Sequence, residues 1–253
     1  MVMNTVMSSS TRNPVNIPGN QKHLLQPSLT RLMDAVLSKD LRKAEDLVSS
    51  LMNNGNDGQG LFRDIFQPLF QQLASYMTTG QISQARAAAA SELAFQVMRG
   101  VVDRYSPKGL YASPSKLLIG CIQGDQHDIG CRIVANLFEM TGWNVVYVDS
   151  DADKESFIQT VLETEPDLIG ISVSNLLQVP TLKELIIALH NCEIADRFKI
   201  MVGGYPFSIN PSFALEVGAD FTARNATEAV SKARRYVTRY AEYGASEVTT
   251  FVV

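Results

Sequence analysis

Long apolar runs are missing from this chain. No stretch approaches the roughly 20 residues needed to cross a bilayer, so no membrane association is expected. Cysteine is scarce: Cys121, Cys131 and Cys192 form no CxxC and make an odd number, which fits a reducing cytoplasm better than a disulfide framework. Basic residues are not in excess. With 22 Lys and Arg against 26 Asp and Glu, the net charge is −4, and direct nucleic-acid binding through bulk electrostatics is not expected. The first seven residues, Met1 to Met7, are too short and uncharged to read as a signal peptide. What is present is ordinary for a globular protein: 45% hydrophobic and 19% charged residues, enough apolar material for two modest domains in 253 residues.

The hydrophobic period changes along the chain. Residues 1–27 are rich in Ser, Asn and Pro and read as a disordered or loosely docked tail. Residues 28–106 carry helical spacing, and four helices are expected. The first is capped by Ser28 and striped by Leu29, Leu32, Met33 and Val36. The second starts near Asp40, the third runs from Leu61 to Met77 with a kink at Pro68, and the fourth runs from Ser83 to about Val102 through Ala87–Ala90. Short loops make this an antiparallel all-α four-helix bundle. Residues 107–115 form a linker. From 116 to 243 short apolar runs alternate with helices, which gives a five-stranded parallel Rossmann-like domain. The flavodoxin-like strand order 2-1-3-4-5 is expected. Residues 244–253 form a C-terminal tail with an apolar end, Val248–Val253, that could dock on its own chain or pair with another, so a homo-oligomer is an open possibility.

Three strand ends carry the chemistry. After the first comes Asp125-x-His127-Asp128-Ile129-Gly130, a turn into a helix. After the third come Ser172, Ser174 and Leu176, and after the fourth Gly203-Gly204-Tyr205. In an open α/β sheet all three fall on the carboxyl edge, where ligands bind. His127 can offer an imidazole to a metal, Asp125 can hold its other ring nitrogen, and the glycines leave room beside the backbone. Any one of these turns could be ordinary structure. Three on one edge point to a ligand.

Together, Asp125-x-His127-x-x-Gly130, Ser174-x-Leu176 and Gly203-Gly204 resemble the cobalamin-binding signature of two-domain cobalamin proteins. Gly218-Ala219-Asp220 and the helical cap fit the same resemblance, which covers about residues 28–240. It implies cobalamin bound with its own base displaced and His127 as the lower ligand of cobalt. Asp125 would then hold the imidazole, Ser172 and Ser174 would lie beside the nucleotide tail, Leu176 would pack at the slot, and Gly203 and Gly204 would line it.

Within that family three roles compete. A mutase needs a barrel of about 250 residues, for which there is no room. A corrinoid shuttle of a methyltransferase system has this layout, but usually follows the motif glycine with Lys-Asn rather than Cys131-Arg132. A stand-alone light or cobalamin-state sensor, similar to photoreceptors of the CarH and photocobilin types, is favoured by Gly80–Ser83 and Phe138–Trp143. The expectation is therefore a sensor that binds adenosylcobalamin and signals through an unidentified protein effector, with the corrinoid shuttle as the alternative. Where such photoreceptors carry a cap tryptophan and a Glu-His pair, this chain has Met77, Ala87 and Ala88. The lost bulk, with Tyr76, Phe95 and Met98 nearby, suggests room for biliverdin as a second, non-covalent chromophore, and Met77 and Ala88 as residues facing the cofactor.

Overall fold

A computed structural model describes residues 21–106, 115–125 and 128–237. The helical region holds α1 (Gln21–Leu37), α2 (Leu41–Asn53), a short α3 (Gly58–Leu61), α4 (Gln67–Thr78) and α5 (Gln84–Tyr105). The first helix begins seven residues before Ser28 and carries Pro27 inside it, so Ser28 is not its cap. The other starts follow side-chain capping of free N–H groups. Asp40 accepts from the Lys43 N–H, Asp57 from Gly60 and Ser83 from Arg86.

Pro68 does not produce a simple kink. A proline lacks the N–H that would bond to the carbonyl four residues back. The preceding segment, Phe62–Phe66, is wound as a π-turn, with the Gln67 N–H reaching the Phe62 carbonyl, and Pro68 then occupies the first turn of α4. Both sides of this turn remain buried through Phe62, Ile65, Phe66, Leu69, Phe70 and Leu73.

The second region is a parallel sheet of β1 (Lys116–Cys121), β2 (Asn144–Val148), β3 (Leu168–Ser172), β4 (Lys199–Gly203) and β5 (Phe221–Thr222), in the order β2-β1-β3-β4-β5. This is the flavodoxin-like order. The helices between them are α6 (Ile129–Met140), α7 (Lys154–Thr164), α8 (Val179–His190), the short α9 (Tyr205–Ile209) and α10 (Phe213–Glu216), and α11 (Ala226–Tyr236). The central strands are covered on both faces, as near-continuous apolar runs require. Leu118, Ile122, Ile169, Ile171, Ile200 and Val202 pack with α7 and α8 on one side. Leu117, Ile119, Cys121, Leu168 and Met201 pack on the other with α6 and α11, in a hydrophobic cluster that runs on into the cap. The cap is therefore joined by continuous packing to the face of the sheet that carries α6.

Helix α8 opens at Val179, and after β4 the chain forms two short helices, α9 and α10, separated by residues 210–212. Trp143 packs edge-on against Phe138 in the core, with ring centroids 5.1 Å apart. The C-terminal segment Val248–Val253 lies outside the described residues. Among the described residues no helix is long and apolar enough to cross a membrane.

Candidate functional site at the carboxyl edge

Register aligns the three predicted turns. Cys121 pairs with Ser172, and Ser172 pairs with Gly203, so β1, β3 and β4 end level. Backbone bonds continue past the strands: the Ile122 N–H donates to the Ser172 carbonyl and the Val173 N–H to the Gly203 carbonyl, each at 3.0 Å. The turn after β1 closes through Gly124, whose φ of +78° suits glycine and whose N–H donates to the Ser150 carbonyl.

Asp125 follows, 2% exposed. Its carboxylate accepts the Ser174 N–H at 2.7 Å and the Ser174 hydroxyl at 2.6 Å. Sequence reasoning placed the Ser174 hydroxyl against a ligand, but its hydrogen is directed to Asp125. Gln126 and His127 lie outside the described residues. Asp128 sits at the N-cap of α6, and Ile129 and Gly130 begin that helix. Among the described residues no group of three His, Cys, Asp or Glu side chains could hold a metal ion.

Gly130, Ser172, Gly203 and Gly204 meet around a cavity of about 300 Å³. Its floor is Ile119, Gly170 and Met201, and its walls come from Cys131, Ile133 and Val134 of α6 and from Ala226 and Ala229 of α11. The cap contributes Gln67, Phe70 and Gln71. A side chain could project into open space at Gly130 or Gly203, where an added Cβ meets no atom within 4 Å, so the backbone is bare along this slot. Gly204 is bare for another reason: its φ is +101°, and a Cβ there would lie 2.0 Å from the Val173 carbonyl oxygen.

Beside the slot, Gly124, Asp125, Ser174, Asn175, Leu176 and Tyr205 line a second, shallow cleft. The loops at this edge leave large apolar side chains in the open: Ile129, Leu176, Leu177 and Tyr205 are all exposed, Leu177 to 84%. A cavity of ligand size beside exposed apolar side chains suits a ligand with substantial apolar surface. At the mouth of the slot Arg224 bonds to Glu228 through both its backbone N–H and its Nε. These bonds, with Lys232, hold the Glu228 carboxyl down to about 2. Below the slot, the hydrogen bond with Cys121, together with burial, pushes the Cys131 thiol well above its ordinary range.

Two predicted cap residues do not join the site. Met77 packs half-buried against the bundle core, and Ala88 is exposed on α5. Neither lines the slot. The alanine patch is divided by helical period: Ala87 and Ala90 are buried among the cap helices, as are Phe95 and Met98. Ala87 and Ala90, expected to form one wall of a second chromophore's pocket, belong instead to the buried core cluster. Sequence reasoning missed Phe70, Gly170, Arg224, Ala226 and Ala229. Gly170 inside an apolar strand, and two alanines three apart on an amphipathic helix, were the available signals.

Comparison with known proteins bears on this site. Residues 115–233 match the family described as the B12 binding domain. The chain is 33% identical over 129 residues to dimethylamine corrinoid protein 3 of Methanosarcina mazei, covering 51% of this chain and 76% of that protein. It is 38% identical over 131 residues to a dimethylamine corrinoid protein of Methanosarcina barkeri, covering 51% of this chain and 60% of the relative. A longer match, 26% identical over 209 residues, covers 81% of this chain and 95% of trimethylamine corrinoid protein 1 of Methanosarcina acetivorans. The matched region is thus about three-fifths of the Methanosarcina barkeri relative, three-quarters of the Methanosarcina mazei one and nearly all of the Methanosarcina acetivorans one. The solved structure of the Methanosarcina barkeri monomethylamine corrinoid protein has the same fold, with a TM-score of 0.67 at 21% identity over 83% of this chain and 99% of that one.

These findings overturn the expectation of a light or cobalamin-state sensor. The similar proteins are methylamine corrinoid proteins, not photoreceptors. The signalling effector and biliverdin belonged to the sensor reading and fall with it.

Proposed function

Since this chain belongs to the B12-binding corrinoid proteins, we propose that it is the corrinoid carrier of a methyltransferase system, holding a corrinoid at the carboxyl edge and passing a methyl group between partner proteins. The observation that carries this reading is the slot itself. It lies at the edge where the motif residues converge, its glycine backbone is bare, and the cap helix α4 closes it with Phe70. The relatives named above supply the direction, and methylated amines are the substrate class we assign on their account.

The residues present fit the group. The slot would take the nucleotide tail between Gly130 on one side and Gly203 and Gly204 on the other. The apolar shelf of Ile129, Leu176 and Tyr205 would lie under the ring. His127 would be the lower ligand, and Asp125, pinned by Ser174, would accept its remaining ring proton and fix the tautomer. Bound corrinoid supplies a cobalt centre able to take up and give away a methyl group. The protein's part is to bind, to orient the imidazole and to exclude water from the slot. A carrier needs an exchangeable upper face, which does not suit the adenosyl form expected from the sequence.

The test is reconstitution with hydroxocobalamin, followed by gel filtration and a visible spectrum, for the wild type and His127→Ala. Retained pigment whose spectrum shifts in His127→Ala is expected. Failure to retain pigment would overturn the reading. Methyl transfer from dimethylamine or trimethylamine in the presence of a methylamine methyltransferase then tests the carrier role.

A further inference from the structure

Arg132 stands two residues after the motif glycine, where shuttle proteins usually carry an asparagine, and the carrier reading gives it no task. Its guanidinium lies 4.0 Å from the centroid of Phe95 on α5 and donates to both carboxylate oxygens of Glu92, at 2.8 and 3.3 Å. Phe95 in turn packs on Phe70 with centroids 4.5 Å apart, and Phe70 lines the slot. A contact chain therefore runs from α6 through Arg132, Phe95 and Phe70 to the slot wall.

A second bridge joins the same two helices, Arg99 of α5 to Glu139 of α6. Glu92 and Arg99 are seven residues apart on one helix, as are Arg132 and Glu139 on the other, with the signs exchanged. The two helices therefore run parallel with matched charges. Sliding α5 by seven residues in one direction would set Arg99 against Arg132, and in the other Glu92 against Glu139. Like charges then oppose the shift.

We propose that Arg132 is a positioning residue of the corrinoid slot, and that the exchanged pairs Glu92–Arg132 and Arg99–Glu139 fix the register in which the cap docks on α6. Exposed ion pairs alone contribute little. Arg132 is different because it combines two hydrogen bonds to a carboxylate with a face-on aromatic contact that helps bury Phe95. Removing it frees Phe95, lets Phe70 move and loosens the wall of the slot. That last consequence rests on the carrier reading, whereas the register claim does not.

The experiment is amide hydrogen exchange on the corrinoid-free protein, paired with cobalamin release after reconstitution. Arg132→Ala should speed exchange in α4 and α5 by about fivefold or more, leave β3 and β4 unchanged, and speed pigment release. Arg132→Lys keeps the charge without the planar stack and should fall between. The double exchange Glu92→Arg with Arg132→Glu should recover part of the protection that either single reversal loses. Arg132→Ala with wild-type exchange in α4 and α5 would overturn the proposal, as would a double exchange no better than its singles. If Arg132→Ala does not fold, Glu92→Gln reads the same bridge from the exposed side. A protein that shows the exchange effect but holds no cobalamin would refute the carrier reading and leave the register claim intact.

Discussion

Ser174 donates two hydrogen bonds to Asp125, 49 residues earlier in the chain: its N–H to one carboxylate oxygen at 2.7 Å and its hydroxyl to the other at 2.6 Å. The turn after β1 and the turn after β3 are thereby locked together beneath the motif. Asp125→Ala would remove the acceptor for both donors, and leaving such groups without it costs roughly 1–3 kcal/mol. Asp125→Asn keeps one acceptor and should cost less. Urea unfolding of the corrinoid-free protein measures both. Equal stability of the alanine variant and wild type would show that the lock does not hold the edge.

The paired glycines separate fold from binding. Gly204→Ala forces a Cβ against the Val173 carbonyl at a positive φ, so a loss of about 1–3 kcal/mol or more is expected. Gly203→Ala meets no atom. Its melting temperature should stay near wild type while cobalamin retention falls. Comparable thermal stability in the two variants would contradict the geometry.

Leu176 offers a test of the apolar shelf. It is 48% exposed, so Leu176→Asp should change folding stability by no more than about 0.5 kcal/mol. Cobalamin affinity should nonetheless drop, because the substitution sets a charge where we place the ring. Equilibrium dialysis against thermal melting distinguishes the two effects.

Glu228 sets an acid limit at the mouth of the slot. Its carboxyl is held at about 2, against an ordinary value near 4.5, by Arg224 first and then by Lys232. A depressed carboxyl contributes stability that is fully present above the ordinary value and is lost as pH falls through the folded one. Between about pH 4.5 and 2, Glu228→Gln should therefore lose less stability than wild type. Unfolding curves across that window check the sign, and parallel pH profiles would refute it.

Much of the edge could be read from residue order. Apolar runs and turn chemistry placed five strands, and a parallel α/β sheet with these crossovers admits few orders, so the strand order followed. The motif turns were legible because glycine and short polar residues at strand ends are unusual when they recur on one edge. The cap was less legible. Helical period gives a face but not its neighbour, so Ala87 and Ala90 looked like an empty wall and are instead buried among helices. The bond from Ser174 to Asp125 was not legible, because the two lie 49 residues apart and no local pattern announces it. Arg132 was noticed only as a departure from the shuttle pattern. Its stack on Phe95 depends on how two domains meet, which spacing within either domain does not encode.

The π-turn at Phe62–Phe66 works as a phase shifter. One extra residue in a turn rotates everything downstream by about 100° relative to an uninterrupted α-helix. Upstream of it the chain is buried through Leu61, and downstream the same run reaches the slot with Gln67, Phe70 and Gln71. Phe70 thus owes its place to a count as much as to its identity. A single-residue deletion within 62–66 would leave a regular α-helix with Phe70 still on its present face, whereas rewinding the turn as α-helix without a deletion would swing Phe70 away from the slot.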